Sequence, residues 1–432
     1  MGSLNANLDA GNFDTNFHRQ SGSATGAAEE AVCGGRPVRV GFLFNHNHRH
    51  QIPHGAPIVA ALCRKEHPRL EIHVYVTGSD RANFLRRLLP QPITDRIFWH
   101  EIKAPLSARI LERLVGRALP LERLGTLVRY RKCLAAMDAL VVPETTSLFL
   151  KNGLGCRDLR LIYTQHGAGD RAVGFKPSIR HFDHVLVPGP KIKKRMLAEG
   201  IVRHGEFSEI GYPKFDSFKM DGPVRLFPND NPVVLYNPHC HPAFSSWYPD
   251  GLKVLEFFRL RRDWNLVVAP HVMLFAKRLH ISADPLCLRW RRGIPRRYFS
   301  APNILLDMGS SACVDMTYTH AADIYLGDVS SQIYEFLHKP RPAIFLNSHR
   351  VDWREDANYA HWHLGAVIED VFSLSPLLAS QAWYVKQFAT RQAEAFKETF
   401  GASPQGGGRR AAEAIARFVF ASQGTGIPQN AQ

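Results

Sequence analysis

The stretch Leu326 to Phe345, LGDVSSQIYEFLHKPRPAIF, restricts the folds open to this chain more than any other. Ile324 to Leu326 and Pro342 to Leu346 are short apolar runs of strand character. Between them, Gly327-Asp328-Val329-Ser330-Ser331 reads as a tight turn. Gln332 to His338 then has helical spacing, with Ile333, Phe336 and Leu337 on one face. Lys339-Pro340 ends that helix, because proline cannot continue it. The result is a strand–turn–helix–strand unit. Its turn brings two hydroxyls, Ser330 and Ser331, to a helix start, where unpaired N–H groups favour an anion. The same hydroxyls, or Asp328, also serve as ordinary helix caps. Both readings stand on the turn alone.

The same logic runs through the rest of the chain. Val38 to Phe44 is an apolar strand, Pro53 and Pro57 prepare a helix bearing Ile58, Val59 and Leu62, and Ile72 to Thr77 is a second strand. Strand, helix, strand implies a parallel sheet. Later strands end in polar loops: Leu161 to Gln165 in His166-Gly167, Val233 to Pro238 in His239-Cys240-His241, and Leu266 to Pro270 in His271. Open α/β sheets bind ligands at such carboxyl ends. His166, followed by a glycine that allows close approach, is well placed for chemistry; an exposed histidine on a capped turn is the plainer alternative. The loop holding His46, His48, His50 and His54 invites a metal. Asn and Arg interleave these histidines, however, and no carboxylate or cysteine is close by, so no metal site is expected.

A chain of 432 residues is too long for one ordinary core. The breaker-rich stretch Phe218 to Pro232 is read as the linker. The expectation is therefore a disordered tail over 1–35, domains over 36–220 and 221–421, and a second disordered tail over 422–432. Net charge is +15, from 54 Lys+Arg against 39 Asp+Glu, which calls for an anionic partner. No aromatic-interleaved basic strand or reader motif points to nucleic acid. The seven cysteines are scattered without a CxxC pair, which fits a reducing compartment. No apolar run is long enough to span a membrane, and the N-terminus does not read as a signal peptide. Leu106 to Ala136 combines Arg109, Arg113, Arg117, Arg123, Arg129 and Arg131 with apolar residues in one or two helices broken near Pro120. Arg278 to Arg297 reads as irregular and basic. These stretches suit a core-packed helix with a solvated face, or a surface lying on anionic lipid. The expected location is cytoplasmic, with peripheral contact at the inner face of the membrane. Nothing in the pattern reports an oligomeric state.

Five motifs in order, Thr164-Gln165-His166-Gly167, Gly211-Tyr212-Pro213-Lys214-Phe215-Asp216, Tyr236-Asn237-Pro238, Ala269-Pro270-His271 and Gly327-Asp328-Val329-Ser330-Ser331, resemble those of the CDP-glycerol glycerophosphotransferase family of teichoic-acid polymerases and primases. The resemblance implies an α/β GT-B fold, two Rossmann-like domains facing across a cleft. It also implies a transferase that moves glycerol phosphate, or a related group, from a CDP-activated donor to an acceptor that is lipid-linked in that family. In the family, the histidine at the place of His166 is the base, and the one at the place of His271 contacts the pyrophosphate. The Asp328 to Ser331 turn would hold the nucleotide phosphates, and Glu335 would be a ribose partner. Gly167, Gly211, Lys214, Asp216, Asn237, His239 and His241 complete the implied substrate-binding set. The family's Trp-His-Gly-Thr is here Gln165-His166-Gly167-Ala168, its Asp-Tyr-Ser-Ser is Asp328-Val329-Ser330-Ser331, and the arginine of its Thr-Trp-Arg loop is replaced within His239-Cys240-His241. No Asp-x-Asp metal clamp is visible, so neither a metal nor a cofactor is expected. A nucleotide-sugar 2-epimerase or a UDP-sugar glycosyltransferase of the same two-domain kind is the alternative enzyme, and a basic membrane- or nucleic-acid-binding protein the non-enzyme one.

Overall fold

The computed structural model describes residues 36–421 apart from 47–48, 66, 115–119, 219–221, 223, 284 and 380. Both expected tails, and His48, lie outside the described residues. In chain order the first strands are β1 (Val38–Phe44), β2 (Leu70–Thr77), β3 (Ile97–Ile102), β4 (Ala139–Val142), β5 (Arg160–Thr164), β6 (His184–Val187) and β7 (Phe207–Glu209). The second half carries β8 (Val233–Asn237), β9 (Asn265–Val268), β10 (Leu279–Ala283), β11 (Leu286–Trp290), β12 (Ile304–Leu306), β13 (Ile324–Gly327), β14 (Ala343–Leu346) and β15 (Ala366–Ile368).

These strands form a seven-stranded sheet of order β3-β2-β1-β4-β5-β6-β7 and a six-stranded sheet of order β12-β9-β8-β13-β14-β15. Every pairing in both is parallel. Such strands are buried on both faces, which is why β4 and β14 are uninterrupted apolar runs. Strand order reverses between β1 and β4 and again between β8 and β13. These are the switch points where doubly wound sheets open a crevice. The fold is GT-B-like, as the resemblance implied.

The helix Ile52–Arg64 shows how local chemistry positions the first wall of the crevice. A Cβ at Gly55 would lie 2.7 Å from the Phe44 ring, so only glycine lets the helix sit this close to β1. Pro57 has no N–H to give the Pro53 carbonyl, which accepts the Ser217 hydroxyl instead, at 3.0 Å. Val40, Phe42, Ile58, Val59 and Val74 pack into one core with Ala411, Ile415 and Val419 of the last helix, Gly407–Ala421. That helix, placed by sequence order in the second domain, thus packs on the first.

Two segments differ from the sequence reading, and a third agrees with it. The helix after the Ser330-Ser331 turn spans only Gln332–Phe336, so it has a single turn rather than a developed dipole. The basic stretch after Arg278 is not irregular: β10 and β11 pair as an antiparallel hairpin. Leu106 to Ala136 does form two helices, Leu106–Leu114 and Leu121–Ala135. No helix among the described residues is long and apolar enough to cross a membrane.

Candidate active site at the domain cleft

The first wall is built at the ends of β1, β4 and β5. The His166 ring Nδ1 lies 2.8 Å from the carbonyl oxygen of Pro143. A carbonyl only accepts, so Nδ1 carries the proton and Nε2 keeps its lone pair. Burial holds His166 below the ordinary imidazole value of 6.5; the Pro143 hydrogen bond and the Glu144 charge pull upward, and Arg123 pushes down. His166 is therefore a neutral base at neutral pH. Glu144 accepts from the Thr146 amide at 2.6 Å and from the Ser147 hydroxyl, which fixes the loop that supplies Pro143.

The histidine-rich loop reaches the same place. The His50 ring centre lies 5.6 Å from that of His166, 5.9 Å from that of His271 and 4.9 Å from that of His46. His54 instead packs against the Tyr212 ring at 5.0 Å, and burial, then the Lys214 charge, keeps it neutral.

The second wall carries imidazoles of the opposite tautomer. The His239 Nδ1 accepts the His241 amide at 3.1 Å, the His241 Nδ1 accepts the Ala243 amide at 3.3 Å, and the His271 Nδ1 accepts the Met273 amide at 3.3 Å. An amide only donates, so in each ring the proton sits on Nε2. His241 gives its Nε2–H to Ser282 of the hairpin at 2.7 Å. The rings of His239 and His271 lie 5.3 Å apart. Burial, then the neighbouring His271 and Arg171, drives His239 well below the ordinary value, so it is a neutral N–H donor.

The ligand atoms of His239, Cys240 and His271 all lie within 4.8 Å of one another, close enough to surround a metal ion. The chemistry of the set does not suit one. A cation needs the Nε2 lone pairs, and in His239 and His271 the amide against Nδ1 leaves the proton on Nε2. The cluster presents protons, as an anion requires.

Several expected ligand contacts have other partners. Lys214 Nζ lies 2.6 and 2.8 Å from the two carboxylate oxygens of Glu335, and the Tyr212 hydroxyl donates to the same carboxylate at 2.9 Å. Both charges are almost fully buried at the seam between the domains. Asp216 caps the last helix through the Gly406 and Gly408 amides at 2.6 and 2.8 Å. Asn237 ties β8 to the Ala269 carbonyl at 2.5 Å. Gly211, at φ +76°, passes against the Arg410 guanidinium, where a Cβ has no room. Asp328 accepts the amides of His239 at 2.9 Å, Ser246 at 2.7 Å and Val329 at 2.6 Å, and so shapes the histidine loop. Ser330 is buried, whereas Ser331 is partly exposed, and its Oγ would lie 3.5 Å from a Cβ placed on Gly167. Gly167 and Ser331 thus face each other across the cleft, as do Gly169 and Ser331.

Two groups were not singled out from the sequence. Asp170 joins the domains: its carboxylate meets Lys191 at 2.9 Å, the Tyr334 hydroxyl at 2.6 Å and the His361 ring at 3.0 Å. Burial would raise this carboxyl, but Lys191, His361 and Tyr334 hold it below the usual carboxylate range. Arg171, its neighbour, lies 3.7 Å from the centre of the Phe244 ring and 5.7 Å from that of Tyr359. It enters from the first domain beside the very loop in which the family's arginine is missing. Only its place after the His166-Gly167 motif hinted at this.

No family model and no curated protein sequence matches the chain. Solved structures do. A variant of the wall teichoic acid polymerase TagF soaked with CDPG is similar over 90% of each chain, with a TM-score of 0.56 and 14% identity. A putative UDP-N-acetylglucosamine 2-epimerase from Listeria monocytogenes is similar over 92% of this chain and 100% of its own, with a TM-score of 0.55 and 16% identity. The two-domain GT-B architecture read here from strand order is thus one that this chain shares with a teichoic acid polymerase and with nucleotide-sugar epimerases.

Proposed function

We propose that the chain is a transferase that binds a nucleotide-diphosphate donor in the cleft and passes the activated group to a hydroxyl acceptor. The observation that carries this reading is the opposition of tautomers: a base, His166 Nε2, against two N–H donors, His239 and His271 Nε2–H. Transfer from a diphosphate needs both, a base for the incoming hydroxyl and donors for the departing phosphate. With a CDP-linked polyol phosphate, the acceptor oxygen attacks the outer phosphorus and its proton passes to His166 Nε2. The bond from that phosphorus to the bridging oxygen breaks, and CMP leaves with the electron pair. His239, His271, Arg171 and the Ser331 hydroxyl are the groups that would take up the charge gathering on it. The CDPG soak of the TagF variant supports a CDP donor, with glycerol phosphate or a related polyol phosphate as the group moved and an acceptor in cell-surface polymer synthesis.

The test is release of CMP or UDP from CDP-glycerol, CDP-ribitol and UDP-N-acetylglucosamine, each with and without a hydroxyl acceptor. His166→Ala should reduce transfer by about 10²–10⁴ while leaving donor affinity unchanged. Normal turnover in a correctly folded His166→Ala protein removes the proposed base. Conversion of UDP-N-acetylglucosamine to its epimer without an acceptor favours the epimerase reading instead.

A further inference from the structure

We infer that a pocket between the β10–β11 hairpin and the start of the helix Trp247–Leu260 binds a phosphorylated sugar. None of the cleft histidines lines it, and the inference does not rest on the transferase reading. The pocket has a volume of about 880 Å³, a size that suits a small ligand. The helix supplies Trp247, Tyr248 and Lys253, β11 supplies Arg289 and Trp290, and the loop after β14 supplies Ser348 and His349. Cross-strand register sets Arg289 opposite His280, which is buried with its ring 3.0 Å from the Leu274 carbonyl, so Arg289 lies on the hairpin face that meets the domain. His349 donates to the Ser245 carbonyl at 3.1 Å, and the next residue, Ser246, gives its amide to Asp328 at 2.7 Å. The pocket floor and the histidine loop of the cleft thus share one support.

The lining identifies the ligand class. It carries Lys253, Arg289 and Arg292 and no carboxylate, so it calls for an anion. Lys253 is already met by Asp250 at 2.8 Å. Among the described residues, the guanidinium groups of Arg289 and Arg292 have no hydrogen-bond or ion-pair partner. Their planar donor forks match the oxygens of a phosphate. The remaining groups suit a body rich in hydroxyls. Tyr248 Oη and Ser348 Oγ are buried without a hydrogen-bond partner, and a buried hydroxyl left unpaired costs stability. Burial pushes the Tyr248 hydroxyl up, so it keeps its proton and can both donate and accept. The His349 Nε2–H is used by Ser245, which leaves its Nδ1 as an acceptor for a hydroxyl. Trp247 and Trp290 offer apolar ring faces for the C–H face of a sugar. A nucleotide fits less well, because no Asn, Gln or acidic side chain lines the pocket to read the edge of a base.

Glucose 6-phosphate is titrated into the full chain by calorimetry, beside glucose, inorganic phosphate and CMP. It should bind at least about tenfold more tightly than glucose or phosphate alone, because one ligand then meets both the arginines and the hydroxyls. CMP should not displace it. Arg289→Gln with Arg292→Gln should weaken binding by about tenfold or more at unchanged melting temperature, since both side chains are exposed and unpaired. Tyr248→Phe with Ser348→Ala should weaken binding several-fold while holding or raising the melting temperature, because the hydroxyls removed have no partner in the free protein. Failure of glucose 6-phosphate to bind at millimolar concentration, or equal affinity in wild type and both variants, overturns the inference. Equal affinity for inorganic phosphate overturns it too, because the sugar is then not read. So does displacement by CMP, because the ligand then sits in a nucleotide site.

Discussion

Lys214 and Glu335 offer the sharpest test of how the two domains are held. Each is nearly excluded from solvent, each is the other's only charged hydrogen-bond partner among the described residues, and Tyr212 completes the group. Lys214→Met would leave a buried carboxylate with one hydroxyl donor. Removing one partner of a buried ion pair typically destabilises by about 3–5 kcal/mol. At about 2–4 °C per kcal/mol for domains of this size, the melting transition should fall by on the order of 10 °C. The control is the triple replacement Lys214→Met, Glu335→Leu, Tyr212→Phe, which removes every polar atom together. Because apolar replacement of a complete buried pair is often neutral, the triple variant should recover to within about 1–2 kcal/mol of wild type. Donor affinity, titrated by calorimetry at low temperature, should match wild type in both. A triple variant as unstable as the single one would show that volume or shape, not stranded charge, is what the seam loses. A parallel fall in donor affinity would restore Glu335 or Lys214 to the ligand.

Other consequences concern the cleft. Burial depresses the His166 pKa, so the base form gains ground as pH rises through a value below 6.5; transfer rate against pH should climb on the acid side and then level off at neutrality. A midpoint above 6.5 would contradict the burial argument. Ser331→Ala should weaken donor binding with little change in melting temperature, whereas Ser330→Ala, at a buried hydroxyl, should do the reverse; identical behaviour would mean that the turn acts as a unit. Arg171→Gln should weaken donor binding about tenfold or more, since a hydrogen bond to a charged group contributes about 1.5–3 kcal/mol, and unchanged affinity would leave the guanidinium as packing for Phe244. Asp170→Asn should destabilise the seam through Lys191, which burial already pushes below its ordinary value; equal melting temperatures would disprove that clamp.

Short apolar runs ending in polar loops were enough to specify two parallel sheets and to locate their strand ends, because burial on both faces leaves a continuous hydrophobic signature. His166 and His271 were found for that reason, each at a carboxyl end. Strands β3 and β15 escaped notice because each is an edge strand, short or partly exposed, with a diluted apolar pattern. The stretch from Arg278 to Arg297 reads as irregular and basic for its arginines, although Leu279-His280-Ile281-Ser282 and Leu286-Cys287-Leu288-Arg289-Trp290 carry the period-two alternation of strands; what alternation cannot show is that the apolar side chains face solvent and His280 inward. What only the tertiary structure decided is which polar residues face each other. Lys214 and Glu335 are 121 residues apart and read as ligand contacts until the seam pairs them. Arg171 stands beside Phe244 for the same reason, and the proton position on each histidine depends on whether a carbonyl or an amide lies against Nδ1. Hydrophobic periodicity is local, and a chain carries it in its order; partner choice among charged and polar groups is a matter of distance, which exists only once both domains have folded against each other.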